Sequence, residues 1–261
     1  MPIITLTTDF GARDGYVGAV KGVITRVVRE VPAARHADRH LDIIDIAHDI
    51  PRGDIAHAAW VVATSTREFP PDTIHVVVVD PGVGTTRQAV IVDAEGQRYV
   101  GPDNGVFGYL ENPTAHAIAK TALLAPKIST TFHGRDIFAH VAARLASGYK
   151  PPDFGKATRL TGTLPWGKRP EGLGRIVHID IYGNLISDMP AREAGGHVLF
   201  GARRIPVGRT YEDVPAGEVV AYVGSAGTIE IAVREGRADN AFAATRGMKV
   251  LPDPEGTGPY R

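Results

Sequence analysis

The chain has 261 residues, enough to bury a sizeable core as one large domain or two modest ones. Its 29 Lys and Arg balance 29 Asp and Glu, so no global field recruits nucleic acid or an anionic membrane. It has no Cys, which excludes disulfides, thiol nucleophiles and thiolate metal sites, and no apolar run reaches the roughly 18 residues of a membrane span.

From the N-terminus onward, strand-like and helix-like segments alternate. Residues 3–7 read as a strand entered without a basic and apolar leader, so the expected location is the cytoplasm. Val17, Val20, Val23, Ile24, Val27 and Val28 recur at helical spacing. Residues 42–46 are strand-like again, and 54–66 carry Ile55, Ala58, Ala59, Val62 and Ala63 on one stripe. Strands are expected over 74–79 and 89–92, and a short helix over 136–146 ending near Gly148. This alternation predicts an α/β domain with a mainly parallel sheet covered by helices. Residues 149–174 are rich in Pro and Gly with no helical period, and mark a boundary. Beyond them, β patterns over 175–181, 219–223 and 228–233, separated by Gly-Asn and Gly-Ser turns, predict a smaller all-β domain. The division is set at 1–169 and 170–261.

The most informative stretch is Val76-Val77-Val78-Val79-Asp80-Pro81-Gly82-Val83-Gly84-Thr85-Thr86-Arg87. Four β-branched residues in a row fit a strand buried on both faces. Pro81 and the two glycines turn the chain away, leaving Asp80 at the carboxyl end, where open α/β sheets place ligands. Arg87 can fold back towards Asp80, although a turn-capping Asp and a surface Arg would share the pattern. Asp9 and Asp14 follow the first strand, at another ligand-side position; Asp14 could equally cap the next helix. A kinase reading of Asp9-Phe10-Gly11 fails because no Gly-rich loop, strand Lys or catalytic loop precedes it. Gly82-x-Gly84-x-x-Arg87 lacks the third glycine of a dinucleotide fingerprint, and no P-loop occurs.

His36, His40, His48, Asp49, Asp54 and His57 are the most metal-like group, weighed against solvated loop and helix histidines, and no metal is expected. In Thr130-Thr131-Phe132-His133-Gly134-Arg135-Asp136, His133 precedes a helix whose dipole disfavours imidazolium. A neutral His there can accept a proton or orient a water, or simply cap and pack. Asp180, Tyr182 and Asn184 surround a turn where Asn can read an adenine edge, Tyr can stack on it and Asp can pair with an ammonium; a plain hairpin explains Gly183 and Asn184 equally well.

In order and content these segments resemble the S-adenosylmethionine hydroxide adenosyltransferases, the adenosine-forming S-adenosylmethionine hydrolases related to fluorinating and chlorinating enzymes. The resemblance runs through Thr8-Asp9-Phe10-Gly11, Asp80–Arg87, Gly101-Pro102-Asp103-Asn104-Gly105, residues 132–138, Asp180–Asn184 and Gly224-Ser225-Ala226-Gly227. It implies an N-terminal α/β domain, a barrel-like C-terminal β domain, and a homotrimer with substrate between neighbouring subunits. It further implies that Asp80, Arg87 and His133 hold the attacking water, and that Asp9 takes the ribose diol. Asp14 and Asp180 would take the methionine part and Phe132, Tyr182 and Asn184 the adenine surroundings, with Ser225 also binding substrate. No separate cofactor is implied, since S-adenosyl-L-methionine is the substrate. In the halogenating relatives the Asp80 position looks like an aromatic hydroxyl residue and the Gly134 position like a Ser. This chain has neither. A binding protein without turnover and a halogenase remain the competing readings.

Overall fold

A computed structural model describes residues 1–32 and 40–253, and the chain divides into two units, Met1–Pro165 and Trp166–Arg261. In the first, the apolar runs form β1 (Ile3–Thr8), β2 (Asp42–Ala47) and β3 (Ile74–Val78). They are followed by β4 (Ala89–Ala94), β5 (Gln97–Pro102), β6 (Thr114–Ala117) and β7 (Ala157–Thr158). The sheet order is β2-β1-β3-β5-β4-β6-β7. β1 pairs parallel with β2 and β3, and β3 with β5, but every pairing from β5 to β7 is antiparallel.

The sheet is therefore mixed, which corrects the expectation of a mainly parallel one. The cause is local. Glu95 and Gly96 both adopt positive φ, 54° and 77°, the twist that suits a tight hairpin, so β4 and β5 run in opposite directions.

Helices cover both faces. α1 (Tyr16–Glu30) buries Val20, Ile24, Val27 and Val28 on one face, beside α3 (Ala139–Ala146) and the side chains of Val76 and Val78. α2 (Ile55–Ser65) places Ala58 and Val62 on the other face with Val77 and Val79. Alternate residues of one strand thus enter two cores, as the run of four valines requires. The helix expected over 136–146 begins earlier, as a π-helical turn over Gly134–Phe138 closed by the Ala139 N–H on the Gly134 carbonyl. The boundary region is not featureless: α4 (Pro151–Phe154) and β7 lie within it.

The second unit comprises β8 (Gly174–Ile179), β9 (Leu185–Pro190), β10 (His197–Phe200), β11 (Arg203–Pro206), β12 (Val219–Val223), β13 (Thr228–Val233) and β14 (Lys249–Asp253). A short helix, α5 (Ala238–Phe242), precedes β14. Their antiparallel order is β11-β10-β14-β8-β9-β13-β12. A bridge between Val207 and Ala221 links the two ends of that order, so the sheet is nearly barrel-shaped. Ile176, Leu185, Phe200, Ile229 and Ile231 fill its core. Only three of these seven strands are visible in the sequence pattern.

Candidate active site

The loop after β3 brings Asp80 and Arg87 together. Arg87 Nε donates to Asp80 Oδ1 and Oδ2 at 3.0 and 2.9 Å, and Nη2 also donates to Oδ2. Both side chains are largely shielded, 4% exposed for Asp80 and 11% for Arg87, so the pair interacts in a medium less screened than bulk water. The guanidinium lies 5.5 Å from the centre of the Phe138 ring.

The same guanidinium reaches His133, with Nη2 2.7 Å from Nδ1. Arg has donors and no acceptor, so this contact requires the Nδ1 lone pair. His133 is then neutral and presents Nε2–H. Burial, helped by the neighbouring Arg87 charge, holds its pKa below the ordinary value of 6.5 and favours that neutral form. In this arrangement Nε2–H is free to donate and the acceptor lone pair is already engaged, which narrows the two options open from sequence.

Gly84 sets this meeting. Its φ is +79°, and an added Cβ would lie 2.4 Å from the Thr130 carbonyl oxygen. Only a residue without a side chain lets the 80s loop touch the 130s segment so closely. Between them lies a cavity of about 50 Å³ lined by residues including Asp9, Phe10, Asp80, Phe132, His133 and Gly134. That volume suits a water or two and excludes a nucleoside.

At the rim Phe10, Tyr16 and Phe132 meet edge-to-face with centroids 5.3–6.1 Å apart. Phe10 and Tyr16 were not among the expected site residues, since an isolated aromatic carries no periodic signal. Arg135 stacks 4.9 Å from the Phe132 centroid. Asp9 Oδ2 accepts from the Gly53 N–H at 2.8 Å, so this carboxylate also braces the neighbouring loop. Asp14 is exposed and does not cap α1: the cap position is Gly15, which makes no side-chain cap. A Cβ added at Gly134 would lie 3.2 Å from Phe10 Cζ, so the position is tight even for Ala.

In the second unit, Asp180, Tyr182 and Asn184 line a separate cavity of about 720 Å³ with Tyr211, Tyr222 and Arg237. Asp180 Oδ1 accepts from the backbone N–H of Tyr182 and Asn184, each at 2.9 Å, and Oδ2 from Asn184 Nδ2 at 2.9 Å. The hairpin explanation is therefore correct as far as it goes, while the Tyr182 ring stays 68% exposed and available for stacking. Ser225 is exposed in the β12–β13 turn and does not line this cavity. Gly224 beside it is required by Glu230, whose Oε1 would lie 1.8 Å from an added Cβ. Burial pushes the Glu230 carboxyl up, and Asp180 adds to the shift.

Within the metal-like group, the His48 ring and the Asp54 carboxylate are engaged locally. His48 Nδ1 lies 2.8 Å from Thr8 Oγ1 and Nε2 3.0 Å from Asp45, and Asp54 caps α2 through the His57 N–H. His36 falls outside the described residues. Among the described residues no three His, Asp or Glu side chains converge as a metal site would need.

Comparison with known proteins bears on the whole chain. The model of the SAM hydroxide adenosyltransferase N-terminal domain matches residues 4–155, and that of the C-terminal domain matches residues 174–251. A protein of Thermus thermophilus named (R)-S-adenosyl-L-methionine hydrolase is 37% identical over 93% of this chain and 96% of its own. A fluorinase of Actinopolyspora mzabensis is 24% identical over 95% of this chain and 96% of its own. The crystal structure of an uncharacterized conserved protein from Thermotoga maritima superposes with a TM-score of 0.80 at 30% identity, covering 95% of this chain and 98% of that one.

Proposed function

The chain belongs to the SAM hydroxide adenosyltransferase family, and from that premise we propose that it hydrolyses S-adenosyl-L-methionine to adenosine and L-methionine by attack of water at C5′. The observation that carries this is that Asp80 and His133 line a water-sized cavity and are joined to each other through Arg87. Hydrolysis at this carbon needs little help with the leaving group, because a sulfonium departs as a neutral thioether. The difficulty is the nucleophile: water has a pKa of about 15.7 and attacks carbon poorly.

In the proposed step the water oxygen bonds to C5′ as the C5′–S bond breaks, and that electron pair stays on sulfur. His133 Nε2–H and Arg87 orient the oxygen and stabilise negative charge as it develops. Asp80 Oδ1 keeps an unused lone pair and takes the proton on its way to solvent. Holding the oxygen in line with C5′ contributes through proximity. Asp9 would hold the ribose diol, Asp14 and Asp180 the methionine part, and Phe132, Tyr182, Asn184 and Ser225 the remainder of the nucleoside and its surroundings. A cytoplasmic homotrimer with substrate shared between neighbouring subunits completes the proposal, and no separate cofactor enters it.

The R designation in the relative's name concerns the sulfonium centre, so both sulfonium epimers belong in the test. Incubation in ¹⁸O-water should place label in the adenosine 5′-hydroxyl, with the R epimer consumed faster. Label absent from adenosine excludes attack at C5′. A 5′-halogenated nucleoside formed only when halide is present would restore the halogenase reading, and no product at all the binding-protein reading.

A further inference from the structure

The turn that follows β5, residues 103–105, contributes nothing to the cavity lining, yet it grips both ends of the Asp80–Arg87 loop. The β3 ladder stops at Val78 and β4 starts at Ala89, so Val79 and Gln88 lie beyond regular pairing. Asn104 Nδ2 donates to the Val79 carbonyl at 2.9 Å, one residue before Asp80. The Asp103 N–H donates to the Gln88 carbonyl at 2.9 Å, one residue after Arg87. Asn104 Oδ1 accepts from the Val106 N–H at 3.2 Å, so the amide has one orientation that serves both partners.

The turn is itself anchored. The Asp103 carboxylate, 7% exposed, accepts from the Thr161 N–H and hydroxyl at 2.9 and 2.7 Å and from the Gly162 N–H at 2.9 Å. Gly105, at φ +103°, would bring a Cβ within 2.5 Å of the Thr163 carbonyl. A rigid clamp on the loop's two ends fixes the spacing of the carboxylate and guanidinium between them.

We propose that Asn104 is a positioning residue for the Asp80 carboxylate, setting its placement through the Val79 carbonyl. This rests on the hydrolase reading above. Misplacing a reacting group by about 1 Å costs on the order of a hundredfold in rate. Asn104→Asp keeps the acceptor for Val106 and replaces the donor to Val79 with an oxygen. Its kcat for S-adenosyl-L-methionine should fall ~10- to 100-fold, with KM changed less than about threefold. The same change made in Asp80→Asn should leave the residual kcat unaltered, because the carboxylate it positions is already gone. Circular dichroism and thermal unfolding check that each variant is folded, and Asn104→Ser replaces Asn104→Asp should the latter fail.

Equal fold-losses in the two backgrounds would make Asn104 merely structural and overturn the inference, as would wild-type kcat in a folded variant or a loss confined to KM. These outcomes all presuppose turnover by the unaltered chain. Its absence would defeat the hydrolase reading first, and this inference with it.

Discussion

Arg87 serves two partners at once, chelating Asp80 and reaching His133 Nδ1. That double duty needs a planar fork with several donors, which Lys lacks. Arg87→Lys keeps the charge, yet is expected to lower kcat by roughly a hundredfold, because the ammonium cannot hold both geometries. Near-normal steady-state rates in the Lys variant would reduce Arg87 to a point charge. His133 gives a pH signature. Its pKa is held below 6.5, so it is neutral at pH 7, and protonation both removes the Nδ1 acceptor and sets imidazolium against Arg87. The log kcat–pH profile should therefore be level through neutrality and fall only below pH 6.5, an acid limb that His133→Asn abolishes. A limb centred at or above 7 would contradict this. Asp80 and Arg87 were legible because seven residues and two glycines bring them back together. His133 was legible only as a candidate, since no local pattern says that a residue 46 positions on meets Arg87.

The elements explain why those side chains meet. β3 was readable because four consecutive valines suit only a strand covered on both sides, and Val76/Val78 and Val77/Val79 do enter opposite cores. The reversal at Glu95-Gly96 was not readable as a change of sheet type, because strand composition is silent on direction. The π-helical turn at Gly134–Phe138 was likewise hidden, since a single wide turn leaves the apolar spacing of the following helix unaltered. At this scale the decisive contact is Gly84 on Thr130. Gly84→Ala adds a methyl 2.4 Å from the Thr130 carbonyl oxygen at a φ of +79°, so the loop must back away. The expected result is a loss of kcat of about tenfold or more, with a smaller fall in thermal midpoint than a core cavity would cause. A variant that melts early but keeps full kcat would show that the Gly84 contact serves stability alone.

Across the first unit, one polar network ties three neighbouring strands. His75 of β3 shares Nδ1 with Thr5 of β1 at 2.7 Å and Nε2 with Gln97 of β5 at 3.2 Å, while its ring lies 4.9 Å from Tyr99. Burial drives its pKa from 6.5 down to about 4, and burial with the nearby Arg144 charge does the same for His140. The native protein holds both neutral, whereas the unfolded chain binds their protons as pH falls through 6.5. Folding stability must therefore drop between about pH 6.5 and pH 4, by up to about 3 kcal/mol for each histidine if the shift is fully realised. The window overlaps the acid limb expected of His133, so loss of activity in acid has two separable sources. His75→Gln removes one titration without touching the cavity. Urea unfolding of that variant should depend less steeply on pH between 6.5 and 4.5 than that of the parent chain, while its kcat–pH profile keeps the same limb. If the variant instead moves the kinetic limb and leaves the stability slope intact, the two histidines have been assigned the wrong tasks.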